Sequence, residues 1–279
     1  MKVLSPAKIN LFLEVVEKRP DGYHNLCSLM CCITLYDTIS LDMASDEISI
    51  SCEHPQVPED KTNLAYRAAD LFFKSLKKPG KGRILIEKKI PVGAGLGGGS
   101  SNAAAVLLTL NRYYDFPFTN DQLRAMGRGL GADVPFFILG KTSIATGIGE
   151  KLEVYYGLKP YHVVLINPGF SVSTAMVYKK VNLGLTKYNK INKYTLFSEM
   201  SSDIQDHLYN DLETVTVAMY PEINLAKELL LESGALGALM TGSGPTVFGL
   251  FADAGSAEKA YSSLTHFSRE QKFLAEIIV

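Results

Sequence analysis

The sequence predicts an α+β protein of two domains, an N-terminal α/β domain followed by a C-terminal α/β sandwich. Three observations support this fold class. A long segment at the start of the chain alternates apolar and polar residues as a strand does, and a glycine-rich segment runs directly into a helix-forming stretch. The C-terminal part then orders its strands and helices in a split β-α-β pattern.

The N-terminal domain is expected to begin with extended structure. From Ala7 to Val15 every second residue is apolar, which places one face of a strand in a core. Asp21-Gly22 gives a turn, and Thr62 or Asn63 can cap a helix. The elements expected in order are a strand over 2–17, a strand run over 23–42, a short strand over 48–52, a helix up to 76 and a strand over 83–88.

Helices should fill the next part of the chain. A helix-forming run covers 102–110, and Thr119 with Gln122 has the spacing of a capping box for a helix that ends near Leu130. A short helical or irregular segment follows at 131–137, and 142–154 is strand-like. A polar stretch near 154–160 predicts the domain boundary, so that the domains are 1–156 and 157–279.

The C-terminal domain is predicted from its alternating strands and helices. Gly234 is expected to end a helical region, and a second glycine turn lies at Thr241–Pro245. The elements expected in order are a strand over 161–166, a helix over 174–181, an irregular polar region over 182–208, helices over 210–233, strands over 236–240 and 246–251, a helix over 254–267 and a strand over 273–279.

Composition excludes several classes of protein. The chain has 279 residues, 47% of them hydrophobic, which suits one large or two modest domains with a full core. A charged fraction of 20% and a net charge of −1 argue against a nucleic-acid binder, which usually shows a basic excess. No apolar run is long enough to span a membrane, and the N-terminus is a poor secretory signal because Pro6, Lys8 and Asn10 interrupt it.

The four cysteines favour a cytoplasmic protein. They are Cys27, Cys31, Cys32 and Cys52, and they form no C-x-x-C pair. Three of them lie in the apolar run from 26 to 41, so reduced core thiols are expected rather than a metal site or disulfides.

The segment Pro91–Ala105, PVGAGLGGGSSNAAA, predicts a phosphate site. Five glycines and two serines fall within nine residues, and a helix-forming run follows at once. Glycine N–H groups can crowd around an anion, and a helix N-terminus adds unpaired donors and the positive end of its dipole. The loop therefore indicates a cradle for the phosphates of a nucleotide.

Other interpretations of this loop are weaker. Glycine and serine clusters are most often linkers, but a linker is not usually followed by an apolar helix. G-x-G-x-x-G at Gly93, Gly95 and Gly98 matches the dinucleotide fingerprint, but the candidate acid, Asp115, has the context of a helix end. No Gly-Lys-Ser/Thr follows, which excludes a Walker A loop, and the protein-kinase motifs are absent.

Several segments together resemble the GHMP small-molecule kinases, named for their galactokinase, homoserine, mevalonate and phosphomevalonate members. The resemblance covers essentially the whole chain. The segments that carry it are Pro6–Asn10 (PAKIN), Asp21–His24 (DGYH), the glycine loop, Gly131–Phe137 (GADVPFF) and Thr241–Gly249 (TGSGPTVFG).

The resemblance implies a GHMP kinase-like two-domain fold, with an N-terminal α/β domain, a C-terminal ferredoxin-like sandwich and an active site in the cleft between them. It also implies an enzyme that phosphorylates the hydroxyl of a small alcohol with ATP. Mg²⁺ is expected as the partner of ATP, although no metal ligand is assigned to the protein.

Two residues are candidates for catalysis by this resemblance. Asp133 is the candidate general base, because phosphoryl transfer to an alcohol needs a proton acceptor near the attacking hydroxyl. Its alternative role is capping, since Asp before Val134-Pro135 is a good helix start. Lys8 is expected to stabilise the ionised form of Asp133, and its alternative is a solvent-facing strand residue, which strand parity does not exclude.

The nucleotide is expected to contact the glycine loop and three further residues. Ser100 and Ser101 add hydroxyl contacts or cap the helix, while Asn63, Lys88 and Asn102 are placed near the adenosine or the phosphates by resemblance. Their alternative roles are capping for Asn63 and Asn102 and solvation for Lys88. The complete set is Pro91, Val92, Gly93, Ala94, Gly95, Leu96, Gly97, Gly98, Gly99, Ser100, Ser101, Asn102, Asn63 and Lys88.

The resemblance also implies that the other substrate is an alcohol linked to cytidine diphosphate. Tyr23 offers a ring for stacking and His24 both donates and accepts hydrogen bonds, although a Tyr-His pair is also common at the start of a strand. By resemblance, Tyr178 supplies the other face of a cytosine sandwich and Thr174 a polar contact, while Asn10 is assigned to the substrate.

The sequence leaves two rival functions open. One is another GHMP kinase, of the homoserine or mevalonate type, against which the D-G-Y-H segment argues. The other is a nucleotide-binding regulator without activity, against which the presence of both Lys8 and Asp133 argues. The sequence predicts no nucleic-acid or membrane partner and leaves a homodimer open.

Overall fold

The computed structural model describes residues 1–181 and 204–279, and these residues form two compact units. Unit 1 consists of Met1–Ala7, Tyr36–Val92 and Gly97–Gly140, and unit 2 of Lys8–Leu35, Gly93–Leu96 and Lys141–Val279. Strands β1 (Lys2–Lys18) and β2 (His24–Asp42) contribute residues to both units. Each unit therefore consists of several separate stretches of sequence. The predicted domains, 1–156 and 157–279, are each one continuous stretch, and this predicted domain boundary stays a prediction.

The sheet of unit 1 mixes parallel and antiparallel pairing. β4 (Gly82–Glu87) pairs antiparallel with the C-terminal part of β2, with Thr38 opposite Glu87, and parallel with β3 (Ile48–Cys52). β4 alternates buried Ile84 and Ile86 with exposed residues, as expected for a strand with one face in a core. This pairing is not the parallel sheet of a dinucleotide fold, so that interpretation of the glycine loop is wrong.

Four helices complete unit 1, namely α1 (Leu64–Leu76), α2 (Gly98–Tyr113), α3 (Asn120–Leu130) and α4 (Val134–Leu139). Phe72 of α1 is fully buried and meets the Phe118 ring edge-on, with 5.3 Å between the ring centroids. The capping box of Thr119 and Gln122 is confirmed. Helix α2 begins at Gly98, four residues before the predicted start at Asn102, so its first turn is made by the glycines and serines themselves.

Unit 2 contains a four-stranded antiparallel sheet in the order β11-β7-β10-β9. Its strands are β7 (His162–Ile166), β9 (Gly237–Met240), β10 (Val247–Phe251) and β11 (Lys272–Ile278). Numbered along the chain the order is 4-1-3-2, which is the ferredoxin-like arrangement. The predicted fold class is confirmed.

Helices pack against this sheet around one apolar core. They are α5 (Thr174–Lys180), α6 (Asp211–Met219), α7 (Glu222–Glu232) and α8 (Ala254–Ser263). Ile223 and Leu230 of α7 and Phe251 of β10 are fully buried in the core. Tyr220 and Pro221 separate α6 from α7, and α8 ends four residues before the predicted end at 267.

The remaining strands of unit 2 are short. β5 (Ser143–Gly147) and β6 (Lys151–Val154) form a hairpin where one strand-like stretch was predicted, and β5 also pairs with β2. β8 (Tyr209–Asn210) pairs parallel with β1. The irregular region predicted over 182–208 lies largely outside the described residues, and its last part forms a 3-10 turn over Ile204–His207.

All four cysteines are buried thiols without a disulfide, which confirms the expectation of reduced core thiols. Burial raises the pKa of the Cys32 thiol to about 12, so the reactive thiolate is suppressed. Throughout the described ranges, every helix is too short or too polar to cross a bilayer.

Candidate functional site

The middle of the glycine loop packs tightly against the second glycine turn, within unit 2. Gly95 has a φ of +78°, and a Cβ on it would lie 2.2 Å from the Thr241 carbonyl oxygen. From the other side, a Cβ on Gly242 would lie 3.1 Å from the Gly95 carbonyl oxygen and 3.3 Å from Lys8 Nζ. Only glycine fits at Gly95, because the backbones of the two turns meet there.

The loop continues into a helix N-terminus that no side chain caps. Gly97 lies at the N-cap position of α2 and has a φ of +70°. Because glycine has no side chain, it offers no acceptor to the first N–H groups of the helix. Gly98 is buried, and a Cβ on it would lie 2.8 Å from Lys88 Nζ. Uncapped N–H groups, a helix dipole and a nearby ammonium together suit an anion.

The side chains of Ser101 and Asn102 turn into the interior of unit 1. Ser5 Oγ donates to Ser101 Oγ at 2.7 Å, and Asn102 Nδ2 donates to Ser5 Oγ at 3.0 Å and to Asp37 Oδ2 at 2.9 Å. The expectation that α2 is capped by Ser100, Ser101 or Asn102 is wrong, because all three residues lie inside the helix. A contact of these residues with a nucleotide stays a prediction.

Lys88 is a buried ion-pair partner rather than a solvated lysine. Its side chain is 6% exposed, and its ammonium lies 2.5 Å from the fully buried carboxylate of Asp37. Burial lowers the pKa of Lys88 from its ordinary value, and the Asp37 charge opposes that shift. The solvated alternative for Lys88 is wrong.

Asn63 has the capping role that was its alternative. Its Oδ1 accepts a hydrogen bond from Ala65 N at 2.9 Å, and its Nδ2 donates to the Pro58 carbonyl at 2.8 Å. A second role near the adenosine stays a prediction.

Lys8 and Asn10 belong to a buried polar network in unit 2. Lys8 Nζ donates to Asn10 Oδ1 at 2.5 Å, and Asn10 Nδ2 donates to Ser28 Oγ at 2.8 Å. Thr241 Oγ1 accepts from Asn10 N at 3.0 Å, and Lys8 N donates to the Leu96 carbonyl at 3.0 Å. Lys8 is 5% exposed, so the solvent-facing alternative is wrong.

Asp133 is at the N-cap position of α4 but does not cap it. Its side chain makes no hydrogen bond to the helix, and the residue is half-buried. In the described part of the chain its carboxylate has no hydrogen-bond donor and no ion-pair partner. The capping interpretation is wrong, and a carboxylate without an internal partner is suited to accept a proton.

The residues predicted for the cytidine end belong to unit 2, and two of them are in contact. The rings of His24 and Tyr178 are tilted by 31° with centroids 5.5 Å apart, and Thr174 Oγ1 lies 2.8 Å from Ser243 Oγ. Tyr23 is 61% exposed, just after a turn in which Asp21 Oδ1 accepts from its N–H. Burial lowers the pKa of His24 from its ordinary value, and the nearby charge of Lys18 lowers it further by a smaller amount. His24 is therefore neutral at physiological pH and can both donate and accept.

Comparison with known proteins identifies the family of the chain. Residues 63–141 match the profile described as GHMP kinases N terminal domain, and residues 187–269 match that described as GHMP kinases C terminal. The 4-diphosphocytidyl-2-C-methyl-D-erythritol kinase of Syntrophus aciditrophicus is 44% identical over 95% of this chain and 94% of its own. The chain belongs to the GHMP kinase family.

Other relatives agree with GHMP kinase membership. The kinase of the same name from Syntrophotalea carbinolica is 46% identical over 98% of this chain and 97% of its own. A crystal structure of 4-(cytidine 5'-diphospho)-2C-methyl-D-erythritol kinase matches with a TM-score of 0.86, 36% identity and 99% coverage of both chains. Homoserine kinase from Cytophaga hutchinsonii shares the GHMP kinase fold, with a TM-score of 0.75, 16% identity and coverage of 100% of this chain and 94% of its own.

Sequence reasoning missed the buried partners of this GHMP kinase site, namely Ser5, Ser28, Asp37 and Ser243. A signal for Asp37 was available, since it is the single charged residue in the apolar run from 26 to 41. Charged residues are rarely buried without a partner, so an acid in such a run predicts a donor cluster around it. The serines gave no comparable signal.

Proposed function

We propose that this chain transfers the terminal phosphoryl group of ATP to the 2-hydroxyl of 4-diphosphocytidyl-2-C-methyl-D-erythritol, in the methylerythritol phosphate route to isoprenoid precursors. One observation carries the proposal: relatives with that kinase name are 44–46% identical over nearly their whole length. The PAKIN, DGYH and GADVPFF segments and the glycine loop would supply the chemistry.

ATP fits the glycine loop as phosphate donor. The backbone conformation at Gly95 and Gly97 requires glycine, and the start of α2 has no side-chain cap. The uncapped start of α2 supplies N–H donors for phosphate oxygens, and Gly95 lets the loop lie close to the second glycine turn. The residues that would bind the phosphates are those of the loop Pro91–Ser101, and Asn63, Lys88 and Asn102 would lie near the adenosine or the phosphates.

Asp133 and Lys8 are proposed as the two catalytic residues. Asp133 would accept the proton of the attacking hydroxyl, and its lack of an internal donor supports that role. Lys8 would stabilise negative charge during transfer and favour the ionised base. Its ammonium is oriented by Asn10, which is in turn bound by Ser28, so the position of Lys8 is defined before substrate arrives.

The cytidine end is proposed to involve Tyr23, His24, Tyr178 and Thr174. Neutral His24 can form hydrogen bonds to the polar edge of a base, and its ring packs against the Tyr178 ring. Stacking of a base on an aromatic ring contributes roughly 1–3 kcal/mol. Asn10 is proposed to contact the alcohol end, beside Lys8.

Mg²⁺ is proposed to bind with the nucleotide. Among the described residues no group of three His, Cys, Asp or Glu side chains could hold a metal ion, so the phosphates of ATP would supply most of its oxygen ligands. When bound, the ion would neutralise charge on the phosphates. The proposal of a cytoplasmic location rests on the four reduced cysteines.

An assay of ADP release with a panel of alcohols tests the function. The panel contains 4-diphosphocytidyl-2-C-methyl-D-erythritol, methylerythritol phosphate, homoserine and mevalonate, each with ATP and Mg²⁺. We expect turnover with the first compound and ADP release no faster than the alcohol-free background with the others. Comparable kcat/KM for homoserine or mevalonate would assign another GHMP activity, and no turnover with any alcohol would favour the nucleotide-binding regulator.

A further inference from the structure

One buried carboxylate in unit 1 has no part in the mechanism above. Asp37 of β2 is fully buried, yet both of its oxygens are engaged. Its Oδ1 accepts from Lys89 N at 2.8 Å and Ile90 N at 2.9 Å, and its Oδ2 accepts from Lys88 Nζ at 2.5 Å and Asn102 Nδ2 at 2.9 Å. A buried carboxylate is tolerated only with such a donor set.

These four donors come from the two flanks of the glycine loop. Lys88, Lys89 and Ile90 precede the loop, and Asn102 lies in the first turns of α2, directly after it. A single side chain therefore bonds to both flanks. Because charge-assisted hydrogen bonds are short and directional, they fix where the loop leaves the strand and where it joins the helix.

We propose that Asp37 is the positioning residue of the phosphate loop, and that it sets the affinity for ATP by fixing both flanks of the loop and the Lys88 ammonium. The inference rests on the proposed function only in taking this loop as the ATP site. Asp37 is too deeply buried to touch the nucleotide, so its effect passes through the groups that it binds.

Asp37 also determines where positive charge is placed. Lys88 Nζ lies 2.8 Å from the position of a Cβ on Gly98, next to the uncapped start of α2. An ammonium at the positive end of a helix dipole is unfavourable unless an anion is close. Asp37 is that anion in the protein alone, and its charge opposes the lowering of the Lys88 pKa by burial.

The test variant is Asp37→Asn, which keeps the shape and removes the charge. An asparagine oxygen can still accept from the two backbone N–H groups, but its NH₂ would face the donors of Lys88 and Asn102. The matched control is Asp42→Asn, an exposed carboxylate at the end of the same strand. Both variants are compared with the wild-type chain by calorimetric binding of ATP and by steady-state kinetics.

We expect Asp37→Asn to raise the Kd and KM for ATP by roughly 10- to 100-fold, equivalent to about 1.4–2.8 kcal/mol. The KM for the alcohol should stay within about twofold, and Asp42→Asn should behave as wild type. The variant also removes the charge that opposes the lowering of the Lys88 pKa, so this pKa should fall further. Its KM for ATP should therefore begin to rise with pH at a lower pH than in the wild type, a shift that a merely structural role would not produce.

Failure of this inference can be told apart from failure of the proposed function. Equal ATP affinity and equal pH profiles in the wild type and Asp37→Asn would overturn the positioning role, whatever the alcohol substrate. A wild type that binds ATP but does not phosphorylate the cytidine substrate would contradict the function and still allow the comparison. If Asp37→Asn does not fold, Asn102→Ala removes the helix-side donor to Asp37 together with its bond to Ser5 Oγ, and an unchanged Kd for ATP in that variant would overturn the inference.

Discussion

The side-chain contacts of Asp133 and Lys8 exclude the ordinary roles of both residues and are compatible with the proposed catalytic ones. Each had a plain alternative in the sequence, a helix cap and an exposed strand residue. The structure excludes both alternatives, since the Asp133 side chain caps nothing and Lys8 is buried in a network with Asn10. A carboxylate without an internal donor and an oriented ammonium are the groups that phosphoryl transfer to an alcohol needs.

Replacing Asp133 tests its role as base. Asp133→Asn should lower kcat by roughly 10²–10⁴, the usual effect of losing a general base, and leave ATP binding intact. Asp121→Asn is a suitable control, because that carboxylate has a side-chain exposure of 82% and lies in the same unit. Initial rates and ATP calorimetry of both purified variants provide the measurement, and near-wild-type turnover of Asp133→Asn would remove it from the mechanism.

The lowered pKa of His24 predicts how recognition of the cytidine substrate depends on pH. Burial and Lys18 lower its pKa below the ordinary value of about 6.5, so the neutral form persists to more acidic pH than in a typical histidine. The KM for the cytidine substrate should therefore be flat from pH 8 to about 6.5 and rise only below that range. Lys18→Met removes a neighbouring positive charge, so the rise in KM for the cytidine substrate should begin at a higher pH. If the dependence of this KM on pH is the same in Lys18→Met and in the wild type, His24 does not have the proposed role.

The same residue should distinguish cytidine from uridine. A site that hydrogen-bonds a polar edge rejects analogues that lack the matching group, and uridine replaces the cytosine amine with a carbonyl. His24→Ala should bring the kcat/KM values for the cytidine and uridine forms of the substrate closer together and leave the KM for ATP nearly unchanged. Equal kcat/KM for both forms in the wild type would speak against base-specific recognition.

At the scale of elements, the glycine loop and helix α2 show where sequence patterns stop being informative. Propensity placed the helix start at Asn102, because glycine and serine are poor helix formers. The structure starts it at Gly98, where tertiary contacts outweigh propensity: Ser101 and Asn102 are bonded to Ser5 and Asp37. No local pattern contains such partners, which lie 65 to 97 residues away.

The contact of the two glycine turns predicts a sensitive position. Gly95→Ala places a Cβ 2.2 Å from the Thr241 carbonyl oxygen, so one turn must shift. We expect the KM for ATP to rise roughly tenfold or more, because the N–H groups of the loop move with it. Gly129→Ala is the control, since that glycine of α3 has open space around it and alanine is the better helix former. If Gly95→Ala binds ATP like the wild type in calorimetry, the phosphates lie elsewhere.

At the scale of the molecule, the fold could be predicted more completely than the site. Strand periodicity and capping signals placed most elements within a few residues of their observed bounds, and the ferredoxin-like order follows from their sequence of strands and helices. The motifs identified the family. The buried partners of Lys8 and Lys88 depend on long-range packing, which periodicity does not encode, and they appeared only with the structure.

The division of strands between units predicts cooperative unfolding. β1 and β2 each supply residues to both units, so melting either unit disrupts strands that the other requires. Scanning calorimetry should therefore show one transition, with equal calorimetric and van't Hoff enthalpies. Two resolved transitions would show that the units unfold independently despite the shared strands.

The interleaved chain also restricts how such a protein can be rearranged in evolution. Neither unit is a continuous stretch of sequence, so no single recombination point in the gene could donate one unit to another protein. A fragment with residues 141–279 alone would carry β11 without the β2 residues that pair with Ile277 and Ile278, leaving part of a strand edge unpaired. A lineage with this architecture must pass it on whole, and new substrate preferences then arise by replacing side chains around a fixed scaffold rather than by exchanging modules.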